Sequence, residues 1–250
     1  MSPGIILLAS FIGLLLAMFG AGGGMLTVPL LAYGMNLPLK SAIATSLWVV
    51  AFASIVTLLL KQAWESLNVK LLIFFATGGA AGSWLGAHLG LAIPELIQGM
   101  IFSLLIWFVA WWMHRPKPRE ASAPEGKCRC GLAIITGFSL GIVTGVLGVG
   151  GGFLMVPALI WLGISDFKAA ISHSLVLIAV NAVIAGTTYL GHVALAWEPM
   201  MWIAGLASIG CLLGCKLAAY LPAARLQAMF TLLLILVGSL MMYKTIAKMI

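Results

Sequence analysis

The sequence predicts an all-α polytopic membrane protein of about eight transmembrane helices, arranged as two four-helix internal repeats whose first helices are broken at glycine. Three observations carry this. Of 250 residues, 63% are hydrophobic and only 8% are charged, whereas a soluble domain carries about 25% charged residues, so these charges cannot cover a globular surface. The apolar runs are long and apolar on every face, which excludes the short alternating segments of a barrel. The second half of the chain also repeats the first at a fixed offset.

The apolar segments lie near 4–20, 24–36, 41–60, 69–92 and 94–113, then near 131–149, 152–164, 169–190, 197–220 and 222–243. Residues 1–24 lack the basic start of a signal peptide, so the first segment is expected to stay as a spanning element. Between the halves, residues 114–130 carry Arg115, Lys117, Arg119, Lys127 and Arg129 with Pro116, Pro118 and Pro124. This stretch reads as a cytoplasmic linker between a first repeat at 1–113 and a second at 131–250. The net charge of +7 is scattered over loops rather than gathered in a patch. It fits the Lys and Arg excess that orients a membrane protein and gives no sign of a nucleic-acid partner.

An offset of 128 residues pairs Gly20 with Gly148, Gly22 to Gly24 with Gly150 to Gly152, Pro29 with Pro157 and Lys40 with Lys168. It also pairs Ser46-Leu47 with Ser174-Leu175, Gly82 with Gly210, Gly86 with Gly214, Pro94 with Pro222 and Phe102 with Phe230. So many unusual residues in one register mark an internal duplication, a common route to transporters. Four crossings per half would make the repeats parallel and three would invert them. The loop charges do not decide, but inverted repeats with re-entrant first segments would bring two broken elements together from opposite leaflets.

The breaks are the most informative feature. Gly22, Gly23 and Gly24, with Gly150, Gly151 and Gly152 in the copy, each cost a helix about 1 kcal/mol relative to alanine, and the following Pro29 and Pro157 lack an amide, so these prolines mark the expected helix breaks. Exposed backbone at membrane depth is tolerated only inside protein or along a wet cavity. A half-helix restarting after the glycines would aim free N–H groups and a positive dipole end at the break, and glycine lets a solute approach closely. The expected ligand is a small oxyanion. Close helix packing with a proline kink is the plainer alternative.

The next helices begin Lys40-Ser-Ala-Ile-Ala-Thr-Ser-Leu and Lys168-Ala-Ala-Ile-Ser-His-Ser-Leu. Thr45 and Ser46, with Ser172, His173 and Ser174, could complete an anion's shell, or could serve only to bond their own helices. Thr45 pairs with His173, so any site would be asymmetric, and His173 is the best single candidate for tuning substrate or coupling. Lys40 and Lys168 are weaker candidates for an entrance, since long basic side chains at helix ends usually reach toward the interface. Glycines 78, 82, 86 and 90 form a stripe suited to packing. Cys211 and Cys215 share a helix face as small residues, and Cys128 and Cys130 are too sparse for a metal site.

No Asp or Glu falls within the span cores, which disfavours a pump built on intramembrane carboxylates. No H-E-x-x-H or G-x-S-x-G occurs, so an intramembrane protease is also disfavoured and the chain is not expected to be an enzyme. No cofactor or metal is expected.

The duplicated G-x-G-G-G-x4-P element, the A-T-S and S-H-S starts of the following helices, the basic central loop and the length together resemble the TauE/SafE sulfite-exporter family of membrane anion transporters. The likeness covers essentially the whole chain. It implies a multi-pass plasma-membrane permease for sulfite or an organosulfur anion such as a sulfonate, with its glycine-rich elements at Gly22 to Gly24 with Pro29 and at Gly150 to Gly152 with Pro157. The expected partners are a small anionic solute and the lipid bilayer. A passive anion channel, a carrier of another metabolite and a non-transporting scaffold subunit stay open as alternatives.

Overall fold

Each half starts with an apolar helix that cannot continue past a glycine. In the computed structural model, which describes residues 3–20, 22–61, 67–114, 130–148, 151–164 and 166–247, α1 (Pro3–Phe19) ends at Gly20 and α6 (Cys130–Leu147) ends at Gly148. Both glycines have φ of +67°, the left-handed conformation that closes a helix and that a side chain disfavours. Short helices then restart. They are α2 (Gly22–Pro29), prolonged by a π-helical turn at Leu30–Gly34, and α7 (Gly152–Trp161), whose N-cap Gly151 is left-handed at φ +64°.

This corrects the place of the break. Pro29 and Pro157 do not end helices: Pro157 lies inside α7, and Pro29 closes α2 at its junction with the π-helical turn. A proline removes one intrahelical bond, and at Pro29 the chain widens into π spacing instead of stopping, whereas the left-handed glycines Gly20 and Gly148 end α1 and α6.

The remaining helices are α3 (Leu39–Lys61), α4 (Val69–Ala92), α5 (Glu95–His114), α8 (Phe167–Leu190), α9 (Trp197–Tyr220) and α10 (Ala223–Ala247). Ten α-helices are thus present among the described residues, against about eight expected, because each broken first segment forms two. Helices α3, α4, α8 and α9 are each long and apolar enough to cross a bilayer. Corresponding helices keep the sequence offset: α3 and α8, α4 and α9, and α5 and α10 each begin 128 residues apart. Most of the expected linker, including Cys128, lies outside the described residues, as does Gly150.

Packing crosses between the halves, most extensively where α4 meets α6 and α1 meets α9. Gly78, Gly82 and Gly86 of α4 lie against the carbonyl groups of Ile134, Phe138 and Ile142, and Gly137, Gly141 and Gly145 of α6 lie against those of Phe75, Gly79 and Ser83. A bilayer offers no hydrophobic drive between helices, so such backbone contact is what holds them. The α4 stripe was legible as packing; its partner stripe on α6 was not read. Gly210 and Gly214 of α9 repeat the arrangement against Ser10 and Leu14 of α1.

The order of these contacts fixes direction. Residue numbers rise together along both pairs, so α4 runs parallel to α6, and α1 to α9. Lys40, at the start of α3, reaches Leu91 at the end of α4, whereas His173, near the start of α8, meets Asn68 at the start of α4. Helices α3 and α8 therefore begin at opposite ends of the bundle. One buried apolar cluster runs through both halves, joining Leu16 and Met25 to Leu154, Met155 and Leu175.

Candidate functional site

Each break is braced by the half to which it does not belong. The Ser46 hydroxyl donates to the Gly148 carbonyl oxygen (2.6 Å), with Ile43 O as a second acceptor at 2.8 Å. Ser174 stands in the same relation to Gly20 O (3.4 Å) and to Ile171 O (2.8 Å). A Cβ on Gly20 would fall 2.9 Å from Ile171 Cγ2, and one on Gly148 would strike Ile43. Small size and a left-handed φ are thus both needed where the first helix of one half ends against the third helix of the other.

Thr45 and His173 share a second job. Thr45 Oγ1 accepts the amide of Ala196, the N-cap of α9, at 3.3 Å. His173 Nε2 accepts the amide of Asn68, the N-cap of α4, at 2.9 Å. Because Nε2 accepts, the ring proton sits on Nδ1, which donates to Ala169 O at 2.8 Å. Both residues are buried, and each holds the start of a helix in the other half. Their difference in chemistry therefore conceals a common geometric role.

The structure gathers the sequence-derived residues into two groups, not one. Thr45 and Ser46 stand at the second break; His173 and Ser174 stand at the first, with Ser172 bonded to its own helix through Lys168 O at 3.3 Å. The two groups lie at opposite ends of α4, whose 24 residues span about 36 Å at 1.5 Å per residue. Gly24 and Gly152 are buried in the first turns of α2 and α7, with Gly22 and Gly23 in the same turn of α2 and Gly151 as the N-cap of α7, and first-turn N–H groups have no intrahelical acceptor. Lys40 and Lys168 act as helix caps: their ammonium groups donate to Leu91 O (2.5 Å) and Ala219 O (3.4 Å) at the C-terminal ends of α4 and α9.

The buried Tyr189, Gln98 and Asn181 are among the polar residues that escaped the sequence reading. Tyr189 donates to Gly145 O at 3.2 Å and Gln98 Nε2 donates to Val146 O, so with Ser46 they satisfy carbonyls in the last turn of α6 before its break. Asn181, fully buried on α8, lies over Gly79 with neither amide atom hydrogen-bonded. The usable signal was a lone amide inside an apolar run whose repeat counterpart is apolar, Leu226 for Gln98 and Ala53 for Asn181. A cavity of ≈ 250 Å³ lined by Tyr33, Leu39, Glu95 and Gly99 opens beside α5. Leu39 and Gly99 also line a smaller void of ≈ 10 Å³ that reaches Gln98, Ile43 and Leu147. Among the described residues, no group of three or more His, Cys, Asp or Glu could hold a metal ion.

The family model described as sulfite exporter TauE/SafE matches residues 5–241. The chain belongs to the TauE/SafE family. Its relatives in this family are described as membrane transporters, and it is not an enzyme. The chain is 29% identical over 249 residues to a probable membrane transporter protein of Xylella fastidiosa strain 9a5c, covering 96% of this chain and 94% of the relative. It is 25% identical over 278 residues to the probable membrane transporter protein YunE of Bacillus subtilis strain 168, covering 97% of each. It is 26% identical over 252 residues to YdhB of the same strain, with 96% of this chain and 99% of the relative covered. No solved structure matches the TauE/SafE chain significantly. A TauE/SafE transporter with these apolar helices is a multi-pass membrane protein.

Proposed function

We propose that this protein is a secondary transporter of a small sulfur-containing anion, sulfite or an organosulfonate, in the cell membrane. Residues 1–113 and 131–250 form two inverted repeats joined by a cytoplasmic linker at 114–130. Each repeat contributes a re-entrant pair, α1 with α2 or α6 with α7, and three crossing helices, giving eight membrane units. The anion is held by backbone amides at the starts of α2 and α7, at Gly22 to Gly24 and Gly150 to Gly152. Ser46 and Ser174 brace the breaks across the repeats, Thr45 and His173 hold the neighbouring helix starts, and Ser172 stands beside them on α8.

One observation carries the reading: both breaks leave first-turn amides of buried half-helices inside the bundle, one near each end. Such termini attract anions through their unpaired N–H groups and positive dipole. The opposed directions of corresponding helices support inversion, and the family name supports a sulfur oxyanion. Inverted repeats suit alternating access, in which one repeat rocks against the other.

The test is thermal stabilisation of purified protein in detergent by sulfite, thiosulfate, sulfate, sulfonates, chloride and carboxylates. A ligand at one hundred times its Kd should stabilise the protein by about 2.7 kcal/mol. Sulfite or a sulfonate should give this response, and Gly24→Val and Gly152→Val should lose it while still inserting. An unchanged response in both variants would remove the glycine breaks from the site.

A further inference from the structure

Resting on the anion-transport reading above, we infer that the solute passes between α3, α4 and α8 at the middle of the bundle, and that the Asn181 amide is its contact there, paired only while α8 is drawn away from its neighbours. Asn181 is fully buried, and among the described residues neither of its amide atoms has a hydrogen-bond partner. It is not alone. Ser54 Oγ and Ser83 Oγ are likewise buried and unpaired among the described residues, as is the indole Nε1 of Trp48. Other hydroxyls in the bundle are satisfied locally: Thr57, Ser103 and Ser208 each donate to the carbonyl four residues back on their own helix.

The helix registers bring the four groups to one region. A Cβ on Gly79 would fall 2.7 Å from Asn181 Oδ1 and 2.9 Å from its Nδ2, so the amide is pressed against the α4 backbone, and Ser83 follows one turn later on the same face. On α8, a Cβ on Gly186 would fall 3.0 Å from Trp48 Nε1. Helices α3 and α8 start at opposite ends, so stepping from Trp48 to Ser54 and from Gly186 back to Asn181 reaches the same level to within about 2 Å, at 1.5 Å per residue. All four residues lie within about one turn of the centres of their helices. Helix α8 comes from the second half and α3 and α4 from the first, so the groups line a seam between the repeats, midway between the two glycine breaks.

Unpaired polar groups in a membrane interior are costly, and their retention points to use. Packing does not call for them: the positions 128 residues away hold Ala53, Ala182, Cys211 and Val176, so the corresponding helices pack without amide, hydroxyl or indole. The close contact with Gly79 leaves no space on that side for a partner, and pairing the amide requires α8 to move from α4, as a rocking motion of the repeats would allow. The parted seam then presents Asn181 Nδ2, two hydroxyls and Trp48 Nε1 as donors. None carries a fixed charge. Such a set suits an acceptor-rich solute in passage, because neutral donors meet its oxygen atoms without the grip of a cation, and a path must release what it binds.

Asn181→Leu and Asn181→Cys test this in the full-length protein. Leucine has nearly the shape of asparagine and removes both unpaired atoms, so the unfolding midpoint in detergent should rise. Sulfite flux into proteoliposomes should instead fall about tenfold or more, the worth of a hydrogen bond lost in passage. An amide with a purely structural role would move both readouts downward together. Asn181→Cys, in a chain whose four native cysteines are replaced by alanine, should react with a small membrane-impermeant methanethiosulfonate in sealed vesicles. Ser103→Cys is the control and should stay unreactive, being buried on α5 where the native hydroxyl donates to Gly99 O at 3.0 Å. A midpoint of Asn181→Leu no higher than wild type, wild-type flux in that variant, or an Asn181→Cys that reacts no faster than Ser103→Cys overturns the inference. If wild-type protein carries no sulfite, the anion reading fails by itself, and the reaction of Asn181→Cys still decides whether the seam opens.

Discussion

Gly82→Leu is expected to prevent the two halves from assembling, at a cost of about 3 kcal/mol or more, the upper range for forcing volume into a packed interior. A Cβ at this position would collide with Phe138 O and lie 2.9 Å from Phe138 C and 3.0 Å from Ile142 N. All three atoms are backbone, so no side chain can swing away and α6 itself must move. Moving it would also part Gly78 from Ile134 and Gly86 from Ile142, because the stripe makes its contacts in one register. Even Gly82→Ala should be clearly destabilising, and Gly210→Ala should act likewise against Ser10. Gly205 supplies the control: nothing lies within 4 Å of its added Cβ, and within α9 an alanine should gain about 0.5–1 kcal/mol from helix propensity. The measurement is the unfolding midpoint of each variant in one detergent. If Gly82→Ala and Gly205→Ala shifted stability alike, the close approach of α4 and α6 would not be what holds the halves together.

Much of this fold could be read from the chain because its two strongest signals are local. Apolar runs mark helices directly, and the run from 41 to 60 or from 169 to 190 needs only small adjustment to become α3 or α8. The glycine clusters located the breaks, but Pro29 and Pro157 were counted as part of them, since a missing amide is obvious in a sequence whereas the left-handed φ of Gly20 and Gly148 is a conformation. Partnership across the halves was harder still. Ser46, Thr45, His173 and Ser174 were legible as polar groups in apolar helices, yet which break each one faces depends on α3 and α8 starting at opposite ends. Gln98 and Asn181 were passed over because single amides carry no motif. Their signal lies in comparison with Leu226 and Ala53, where one copy has a polar group that the other lacks.

His173→Phe should cost about 1–3 kcal/mol, the penalty for a buried backbone donor left without its acceptor. The ring fills similar space, so the loss is not chiefly one of packing. What disappears is Nε2, which accepts the Asn68 amide at 2.9 Å. That amide opens α4, whose own cap is the Asn68 side chain accepting from Leu71 N at 3.2 Å. An unsatisfied Asn68 therefore loosens the start of the helix that makes the most extensive contact with α6. His173→Gln should recover most of the stability, because its side-chain oxygen can reach the same amide. His173→Asn should recover less, since its shorter side chain reproduces the Nδ1 position and not Nε2. A histidine acting on solute alone would give a different pattern: equal stability in all three variants, with only binding or transport changed. Unfolding midpoints measured beside anion binding separate the two roles. Stability following the order Gln, Asn, Phe would make His173 a brace between the halves, the role Thr45 fills with a hydroxyl at the other end of the bundle.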